Sequence, residues 1–494
     1  MNLESRLILV SNRLPVILSK EEGNVHIKPG EGGLVAALGP ILRNQKGLWV
    51  GWPGSSALSE EEIVTHMPQV VEQIGFSVVP VMLKEDEIEL YYHGFSNEII
   101  WPLFHDFHSE CNYVPKYWEG YQKVNEKFSE KILEHVREGD FLWIHDYHLL
   151  LVAQELRKRN YQASISFFLH IPFPPPDLFL RLPWRVQILK ALLEYNLIGF
   201  QTHRDKRNFI HCVRKLLPNL LMENEHGVHR FQMENHEARI ATFPISIDFK
   251  EISRNASTKA IAKKAWEFHE KMPDEKIVFS LDRLDFTKGI PYRLRAIDIL
   301  LEKHPELHEK VSFLQVVIPS RINIRKYIHL KDEIDRLVGK INSKYTKEAW
   351  VPIKYMYRSL SMEELLSCYR TSEIALITPL KDGMNLVSKE YIASNIDTKG
   401  VLILSEFAGA ASELYKQALL VNPYDIEGIA EAIYRAFNLP EEERKKRMQK
   451  MRRIVRRRDI YWWIRSFLNA AISKIPKEPL AEENIHSPKN PSNL

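Results

Sequence analysis

Cysteine is scarce in this sequence. The 494 residues include three cysteines, Cys111, Cys212 and Cys368, which lie far apart in the chain. An odd number of isolated cysteines supports neither a disulfide framework nor a zinc cluster. We therefore expect a protein of the reducing cytoplasm that holds no structural metal.

Long apolar runs and an excess of one charge are also missing. No segment approaches the ~18 consecutive apolar residues of a membrane-spanning helix. We expect residues 1–6 to lead directly into an apolar strand and not to form a signal peptide. The net charge is +4, from 68 basic and 64 acidic side chains, which favours no polyanionic partner. We expect no membrane and no nucleic-acid partner, while a homo-oligomer is compatible with the composition.

One basic run departs from this balance. Residues 444–458 carry ten basic side chains and no acidic one. Such a run could bind an anionic surface or a nucleic acid. Met448, Met451 and Val455 keep an apolar stripe at helical spacing, however, which favours a helix with a solvated basic face.

The length and the pattern predict two domains. A chain of 494 residues exceeds the usual size of a single core. Apolar strands alternate with helices in two consecutive series, and polar residues gather after the strands in both. This pattern predicts an α/β protein with two Rossmann-like domains facing across a cleft, at residues 1–247 and 248–456. The proline-rich, polar residues 476–494 are expected to be disordered.

Polar side chains follow three strands of the first series. Residues 7–10 (LILV) lead to Arg13, residues 141–144 (FLWI) lead to Asp146, and residues 165–169 (ISFFL) lead to His170. Ligands of open α/β sheets bind at these strand ends. The alternatives are that Arg13 is an ordinary surface arginine and that His170 is a structural histidine. The apolar spacing that follows predicts helices over residues 182–198 and 205–217.

The second series places two cations on one loop. Residues 276–280 (KIVFS) form a strand that delivers Arg283 and Lys288 on a loop bounded by glycine. A guanidinium that binds bidentately and an ammonium point charge suit a diphosphate. The alternative is a pair of salt bridges to Asp282 and Asp285. Arg321 follows a similar strand.

A strand, a turn and a helix follow one another at residues 375–390. The helix is predicted to begin near Met384, where free backbone N–H groups and the helix dipole can hold a phosphate. Asp382 and Glu390 would then face sugar hydroxyls. An ordinary crossover with solvated acids is the alternative.

Several motifs occur together in one order. They are residues 10–13 (VSNR), 32–34 (GGL), 96–97 (SN), 101–102 (WP), 143–150 (WIHDYHLL), 168–174 (FLHIPFP), 283–285 (RLD), 288–289 (KG) and 382–387 (DGMNLV). With these motifs the chain resembles the trehalose-6-phosphate synthases, which are retaining glycosyltransferases of GT-B type with two Rossmann-like domains. The resemblance covers residues 7–473. It implies that a final helix at residues 457–475 crosses back to the first domain.

The resemblance implies an acceptor site and a donor site. In the acceptor site Arg13, Tyr92 and Arg321 would hold a 6-phosphate, and Trp101 and Asp146 would contact the acceptor sugar. The donor set would comprise Gly32, Gly33, Arg283, Lys288, Leu360, Asp382, Gly383, Met384, Asn385, Leu386, Val387 and Glu390.

Within the donor site the resemblance implies separate tasks. Arg283 and Lys288 would bind the diphosphate beside the Leu386 and Val387 amides, Glu390 the ribose, and the backbone near Leu360 the base. His170 and Asp382 would hold the transferred glucose. The implied catalytic residues are Arg283, Lys288, His170 and Asp146, with no metal and no cofactor.

The implied reaction moves glucose from a nucleoside diphosphate glucose, foremost UDP-glucose, to glucose 6-phosphate. Its product would be α,α-trehalose 6-phosphate, formed with retention. The resemblance leaves open a glucosylglycerol-phosphate synthase, a related pseudo-glycosyltransferase, or a catalytically silent subunit that binds sugar phosphates.

Overall fold

The chain divides into two compact units in the computed structural model. The structure describes residues 6–21, 24–30, 35, 38–39, 42–43, 47–54, 58–225, 227–270, 275–321, 324–348 and 350–473. The first unit comprises Met1–Pro244 with Ile464–Leu494, and the second comprises Ile245–Trp463.

The first unit contains a mixed sheet and a separate hairpin. Its strands are β1 (Leu7–Arg13), β2 (Val16–Glu21), β3 (Asn24–Pro29), β4 (Leu48–Trp52), β5 (Ser77–Pro80), β6 (Phe141–His145), β7 (Ile165–Phe168), β8 (Leu197–Phe200), β9 (Met222–Glu225), β10 (Val228–Gln232) and β11 (Glu237–Thr242). The described sheet has the order β5-β4-β1-β6-β7-β8-β11-β10-β9, and β2 pairs with β3. Its pairs are parallel except for β9-β10 and β10-β11.

Helices connect the parallel strands of this unit. The α-helices described are Glu60–Ile74, Glu85–Glu87, Trp101–Phe104, Pro115–Leu133, Val152–Lys158, Pro176–Phe179, Arg185–Leu192 and His203–Leu216. A π-helix spans Ile88–Ile100, and short 3₁₀ turns span His108–Glu110 and Tyr147–Leu149. The central strands are continuous apolar runs because helices cover both faces of a parallel sheet; Leu7, Ile8, Leu9 and Val10 are all fully buried.

The helix predicted over residues 182–198 is wrong at its end. The structure has the helix Arg185–Leu192 and then strand β8, Leu197–Phe200. The apolar residues of β8 continue the helical spacing without an intervening breaker, so periodicity alone cannot separate the two elements. The next prediction, residues 205–217, agrees with the helix His203–Leu216.

The second unit contains a parallel sheet. Its strands are β12 (Lys276–Arg283), β13 (Val311–Ile318), β14 (Ile353–Tyr357), β15 (Ile374–Ile377), β16 (Val401–Ser405) and β17 (Leu419–Val421). The described order is β14-β13-β12-β15-β16-β17, and every pair is parallel. The two α/β sheets, one mostly and one entirely parallel, confirm the predicted pair of Rossmann-like units.

Helices alternate with these strands as well. The α-helices are Phe249–Ala256, Lys259–Glu270, Ile290–Lys303, Arg325–Tyr345, Met362–Thr371, Leu386–Ser394, Ala411–Leu414, Ile426–Asn438 and Glu441–Arg457, with 3₁₀ turns at Phe286–Lys288 and Pro305–Leu307. A final helix, Ile460–Ile472, begins in the second unit and ends in the first.

The basic run lies on the helix Glu441–Arg457. Met448, Met451 and Val455 are buried on it, as the apolar stripe predicts. Arg452 donates to the carbonyl oxygens of Ile392 and Ala393 at 2.8 and 2.7 Å. Part of the run therefore ties this helix to its own unit.

The end of the final helix packs within the first unit. Phe467 stacks on Trp143 with ring centroids 4.2 Å apart. Arg239 donates to the carbonyl oxygens of Ala470, Ala471 and Ser473, each at 2.9 Å, which fixes the last turn. Among the described residues no helix is both long and apolar enough to span a membrane.

Candidate functional site

Arg13 ends β1, and its neighbours fix its position. The Trp49 indole N–H donates to Ser11 Oγ at 2.8 Å, and Ser11 Oγ donates to the Arg13 carbonyl oxygen at 2.8 Å. The guanidinium carbon of Arg13 lies 3.9 Å from the ring centroid of Trp52 and 5.2 Å from that of Tyr92. The exposed cation thus lies over the Trp52 ring, with Tyr92, which packs edge-to-face on Trp52, as a second aromatic neighbour.

Gly54 lets the backbone approach this arginine closely. It adopts φ +96°, and a Cβ there would lie 2.1 Å from Arg13 Nη1. His148 stacks on Tyr92 with centroids 5.8 Å apart. Trp52, Gly54 and His148 were not predicted as site residues. The signal for Trp52 was its place at the end of the neighbouring strand, since Arg13 and Trp52 are register partners.

Asp146 and His170 come together after adjacent strands. Asp146 follows β6 at φ +72°, an uncommon conformation for a residue with a side chain. Its Oδ1 accepts from the backbone N–H of His170 at 3.2 Å, and its own N–H donates to the Phe168 carbonyl at 2.8 Å. The strained backbone therefore turns this carboxylate toward the end of β7.

His170 also pairs with His145. His170 Nε2 lies 3.0 Å from His145 Nδ1, within hydrogen-bond distance. Burial lowers the pKa of His170 to about 3 and lowers the pKa of His145 well below its usual value. Both rings are accordingly neutral at neutral pH, and His170 can contact a sugar without adding charge.

Trp101 is buried beside Tyr147, which directly follows Asp146 in the chain. Its ring centroid lies 5.7 Å from that of Tyr147. The Tyr147 hydroxyl donates to Asn97 Oδ1 at 3.2 Å, and Asn97 Nδ2 donates to the Tyr92 carbonyl at 2.7 Å. This chain of contacts links the predicted acceptor residues Trp101 and Tyr92 through the π-helix.

The predicted diphosphate loop follows β12 in the second unit. Arg283 ends that strand and is exposed, whereas Lys288 is half-buried in the 3₁₀ turn Phe286–Lys288. The Leu380 N–H donates to the Thr287 carbonyl at 2.7 Å. Gly289 adopts φ +66°, and a Cβ there would lie 2.7 Å from the Thr378 carbonyl oxygen. The loop therefore lies directly against the segment that follows β15.

The loop meets the second predicted donor segment at Asp382. Lys288 Nζ lies 2.6 Å from Asp382 Oδ2, and Asn385 Nδ2 donates to the same oxygen at 3.2 Å. The alternative, in which Arg283 and Lys288 form salt bridges to Asp282 and Asp285, is wrong. Asp282 pairs with Arg293 at 2.7 Å, and Asp285 pairs with Arg321 at 3.2 Å.

The helix of the donor segment begins at Leu386 and not at Met384. Asn385 adopts φ +79° and caps the helix, because its Oδ1 accepts from the Ser388 N–H at 3.0 Å. A Cβ on Gly409 would lie 1.9 Å from the Gly383 carbonyl oxygen. Residues 383–387 form the predicted turn and helix start, and the backbone of Gly409 packs directly against the backbone of Gly383.

Glu390 lies on that helix and accepts a hydrogen bond from a buried tyrosine. The Tyr369 hydroxyl donates to Glu390 Oε2 at 2.8 Å. Burial raises the pKa of Glu390, and this hydrogen bond opposes the shift. Leu360 lies at the connection between β14 and the helix Met362–Thr371, directly before the capping residue Ser361.

Arg321 lies in the second unit, and its described partners are Asp285 and Tyr327. The contacts of these two residues with Arg321 were not predicted, because nothing in the local sequence relates them to Arg321. Gly32 and Gly33 lie outside the described residues. Across the described part of the chain, no group of three or more histidine, cysteine, aspartate or glutamate side chains could hold a metal ion.

Arg293 is a further residue that sequence reasoning missed. Its side chain is 0% exposed and binds Asp282 Oδ2 at 2.7 Å, Gln315 Oε1 at 3.2 Å and Thr378 Oγ1 at 3.0 Å. One guanidinium therefore joins the C-terminal parts of β12 and β13 to the residue that follows β15. It supports the base of the predicted donor site.

The chain is similar to known proteins over nearly its whole length. The model of glycosyltransferase family 20 matches residues 5–473. The trehalose-6-phosphate synthase of Mycolicibacterium gilvum (strain PYR-GCK) is 40% identical over 483 residues, which cover 97% of this chain and 95% of that protein.

Two solved structures are also similar. The first is an α,α-trehalose-phosphate synthase (UDP-forming) from Burkholderia xenovorans in complex with glucose-6-phosphate, with a TM-score of 0.85, 33% identity and coverage of 95% of this chain and 100% of that chain. The second is the trehalose-6-phosphate protein from E. coli bound with UDP-2-fluoro glucose, with a TM-score of 0.84, 34% identity and coverage of 96% and 100%.

The family match, the curated relative and the two folds agree with one another and with the motifs of the sequence. This chain belongs to glycosyltransferase family 20 and is an enzyme that transfers a glycosyl group.

Proposed function

We propose that this enzyme transfers glucose from UDP-glucose to glucose 6-phosphate, giving α,α-trehalose 6-phosphate and UDP with retention of the anomeric configuration. The observation that supports the proposal most is the ion pair between Lys288 Nζ and Asp382 Oδ2, which are 2.6 Å apart. It joins the cationic loop after β12 to the turn that precedes the helix Leu386–Ser394. The UDP-forming relative from Burkholderia xenovorans in complex with glucose-6-phosphate supports both substrates.

The acceptor's phosphate is assigned to Arg13, Tyr92 and Arg321. Arg13 offers a planar set of N–H donors that matches phosphate bidentately. Its cation–π contact with Trp52, 3.9 Å from the guanidinium carbon to the ring centroid, helps to fix the position of the cation and itself needs none of the N–H groups. Trp101 and Asp146 contact the sugar ring of the acceptor, and the carboxylate of Asp146 accepts from hydroxyl groups.

The donor's diphosphate is assigned to Arg283 and Lys288. When the bond between the anomeric carbon and the diphosphate breaks, negative charge grows on the leaving group. Fixed cations stabilise that charge in the transition state more than in the ground state, so they accelerate the reaction. The Leu386 and Val387 amides at the start of the helix Leu386–Ser394 add the positive end of its dipole.

The chemical step needs no protein nucleophile. The acceptor hydroxyl attacks the anomeric carbon from the face that UDP leaves, and its proton passes to an oxygen of the departing diphosphate. His170 and Asp382 orient the glucose. Because the ring of His170 is neutral, it can donate one hydrogen bond to a sugar hydroxyl without opposing the positive charge that develops on the glucose.

Glu390 is assigned to the ribose and the backbone near Leu360 to the base. Tyr369 donates to one Glu390 oxygen at 2.8 Å, and the other oxygen accepts from ribose hydroxyls. Gly32 and Gly33 are assigned to the donor from the family resemblance. A silent sugar-phosphate-binding subunit would be expected to lose some of the catalytic side chains, whereas Arg283, Lys288, His170 and Asp146 are all present.

The deciding experiment supplies the purified protein with UDP-glucose and other nucleoside diphosphate glucoses. Glucose 6-phosphate and glycerol 3-phosphate serve as competing acceptors, and the product is identified by mass spectrometry and proton NMR. A disaccharide phosphate with two α anomeric signals supports the proposal. A glycerol adduct would make the enzyme a glucosylglycerol-phosphate synthase, and a β linkage would exclude retention.

A further inference from the structure

Arg321 is held by two side chains that the proposed mechanism does not use. It follows β13 at φ +50°, a conformation that arginine rarely adopts without support. Its Nη1 donates to Asp285 Oδ2 at 3.2 Å and also to the hydroxyl of Tyr327. The Tyr327 hydroxyl donates to the same Asp285 oxygen at 3.3 Å. We call these three residues the Asp285 clamp.

Asp285 connects the clamp to the donor loop. Its second oxygen, Oδ1, accepts from the N–H of Thr287 at 3.0 Å and from the Thr287 hydroxyl at 2.8 Å. Thr287 directly precedes Lys288. One carboxylate therefore holds Arg321 with one oxygen and the diphosphate loop with the other.

The pKa shifts of Asp285 and Tyr327 favour these directions, in which Arg321 donates to Tyr327 and Tyr327 donates to Asp285. Burial opposes ionisation of Asp285, but Arg321 and the Thr287 N–H outweigh it, so the pKa of Asp285 lies below its usual value. Burial raises the pKa of Tyr327. The hydroxyl thus keeps its proton for Asp285, and its lone pair accepts from Arg321.

We infer that Tyr327 is a positioning residue for the phosphate of the acceptor and acts by fixing the guanidinium of Arg321. The inference rests on the proposed role of Arg321. Both described bonds leave from Nη1, so together they set the rotation of the guanidinium plane. A preset plane spares the binding step the cost of ordering a long side chain, and phosphate requires a defined plane for bidentate contact.

The first test is the Tyr327→Phe enzyme. Loss of one hydrogen bond to a charged group should raise KM for glucose 6-phosphate about tenfold, with little change in KM for UDP-glucose or in kcat. Tyr345→Phe is the matched control. It lies at the other end of the same helix and also loses a hydroxyl bonded to an aspartate, Asp298, at 3.0 Å. An unchanged acceptor KM in Tyr327→Phe, or an equal rise for both substrates, overturns the inference.

A double-mutant cycle tests whether Tyr327 acts through Arg321. In an Arg321→Ala background, Tyr327→Phe should raise the acceptor KM no further, because its partner is gone. If Tyr327→Phe raises KM by the same factor in both backgrounds, the two residues act independently and the inference is wrong. Thermal unfolding of every variant shows that the compared enzymes are folded.

A binding measurement separates failure of this inference from failure of the proposed function. Inorganic phosphate is titrated by calorimetry into the wild type and into Tyr327→Phe, without donor or turnover. Weaker phosphate binding in the variant supports the clamp even if glucose 6-phosphate proves not to be the acceptor. Equal binding in both overturns the clamp, even if trehalose 6-phosphate is the product.

Discussion

Lys288 Nζ lies 2.6 Å from Asp382 Oδ2, although the two residues are 94 positions apart. The contact joins the loop after β12 to the segment after β15, which are adjacent strands of the sheet. It also complicates mutation of Lys288, because its removal deprives a half-buried carboxylate of an ion pair. Arg283 is exposed and lies on the same loop, so it offers the cleaner test of the proposed diphosphate site.

We expect Arg283→Ala to lower kcat by at least ~10²-fold while the fold survives, since the guanidinium stabilises charge that appears in the transition state. Steady-state kinetics with UDP-glucose measure the loss. Lys310→Ala is the control: it removes an exposed cation directly before β13, at the opposite end of the same sheet. Near-normal turnover in Arg283→Ala would refute its role.

For Arg13→Ala we expect a large rise in KM for glucose 6-phosphate and a small one for UDP-glucose, because Arg13 is assigned to the acceptor's phosphate. Loss of a bidentate contact to phosphate should cost about tenfold or more. Arg137→Ala removes an exposed cation shortly before β6, at the other end of the sheet. An equal effect of Arg13→Ala on both substrates would place Arg13 in the wrong site.

The sequence predicts those parts of the fold and site that depend on neighbouring residues. Short apolar runs followed by polar residues located β1, β6, β7 and β12, together with Arg13, Asp146, His170 and Arg283 at or after their ends. Such runs are diagnostic because a strand covered on both faces must be apolar at consecutive positions. Strand β8 was missed because its run continues the spacing of the preceding helix.

Contacts between distant segments were not predictable in the same way. Trp52 lies under Arg13 because two strands share a register, and Arg293 joins three strand ends because it is fully buried below them. A sequence shows the charge of Arg293 but not its burial. Tyr327 is likewise an ordinary aromatic residue of an amphipathic helix until its hydroxyl is placed against Asp285.

We expect Tyr369→Phe to raise KM for UDP-glucose about tenfold and to leave KM for glucose 6-phosphate unchanged. The Tyr369 hydroxyl holds Glu390 and favours its charged form, so its loss should raise the pKa of Glu390 further. The defect should therefore grow as the pH falls. Tyr391→Phe is the control, since its buried hydroxyl donates to the Ser372 carbonyl at 3.1 Å. The same donor KM in both variants would contradict the role of Tyr369.

The stability of the first unit should depend on pH through His170. Burial lowers its pKa to about 3 from a usual value of 6.5. Between these values the unfolded chain binds a proton that the folded protein does not, so stability falls as the pH falls, by up to about 1.4 kcal/mol per pH unit. The midpoint of thermal unfolding should drop less steeply below pH 6.5 in His170→Gln than in the wild type. Equal slopes would show that His170 is not held neutral.

Removal of Arg293 should strongly destabilise the second unit. Arg293→Met leaves the buried Asp282 without its ion pair, and breaking such a pair by one partner costs about 3–5 kcal/mol. Hydrogen exchange of the β12 amides measures this loss locally. Adding Asp282→Asn should recover part of it, because the double variant no longer buries an unpaired charge. If the double variant exchanges as fast as Arg293→Met, the loss comes instead from the hydrogen bonds of Arg293 to Gln315 and Thr378, and the ion pair contributes little.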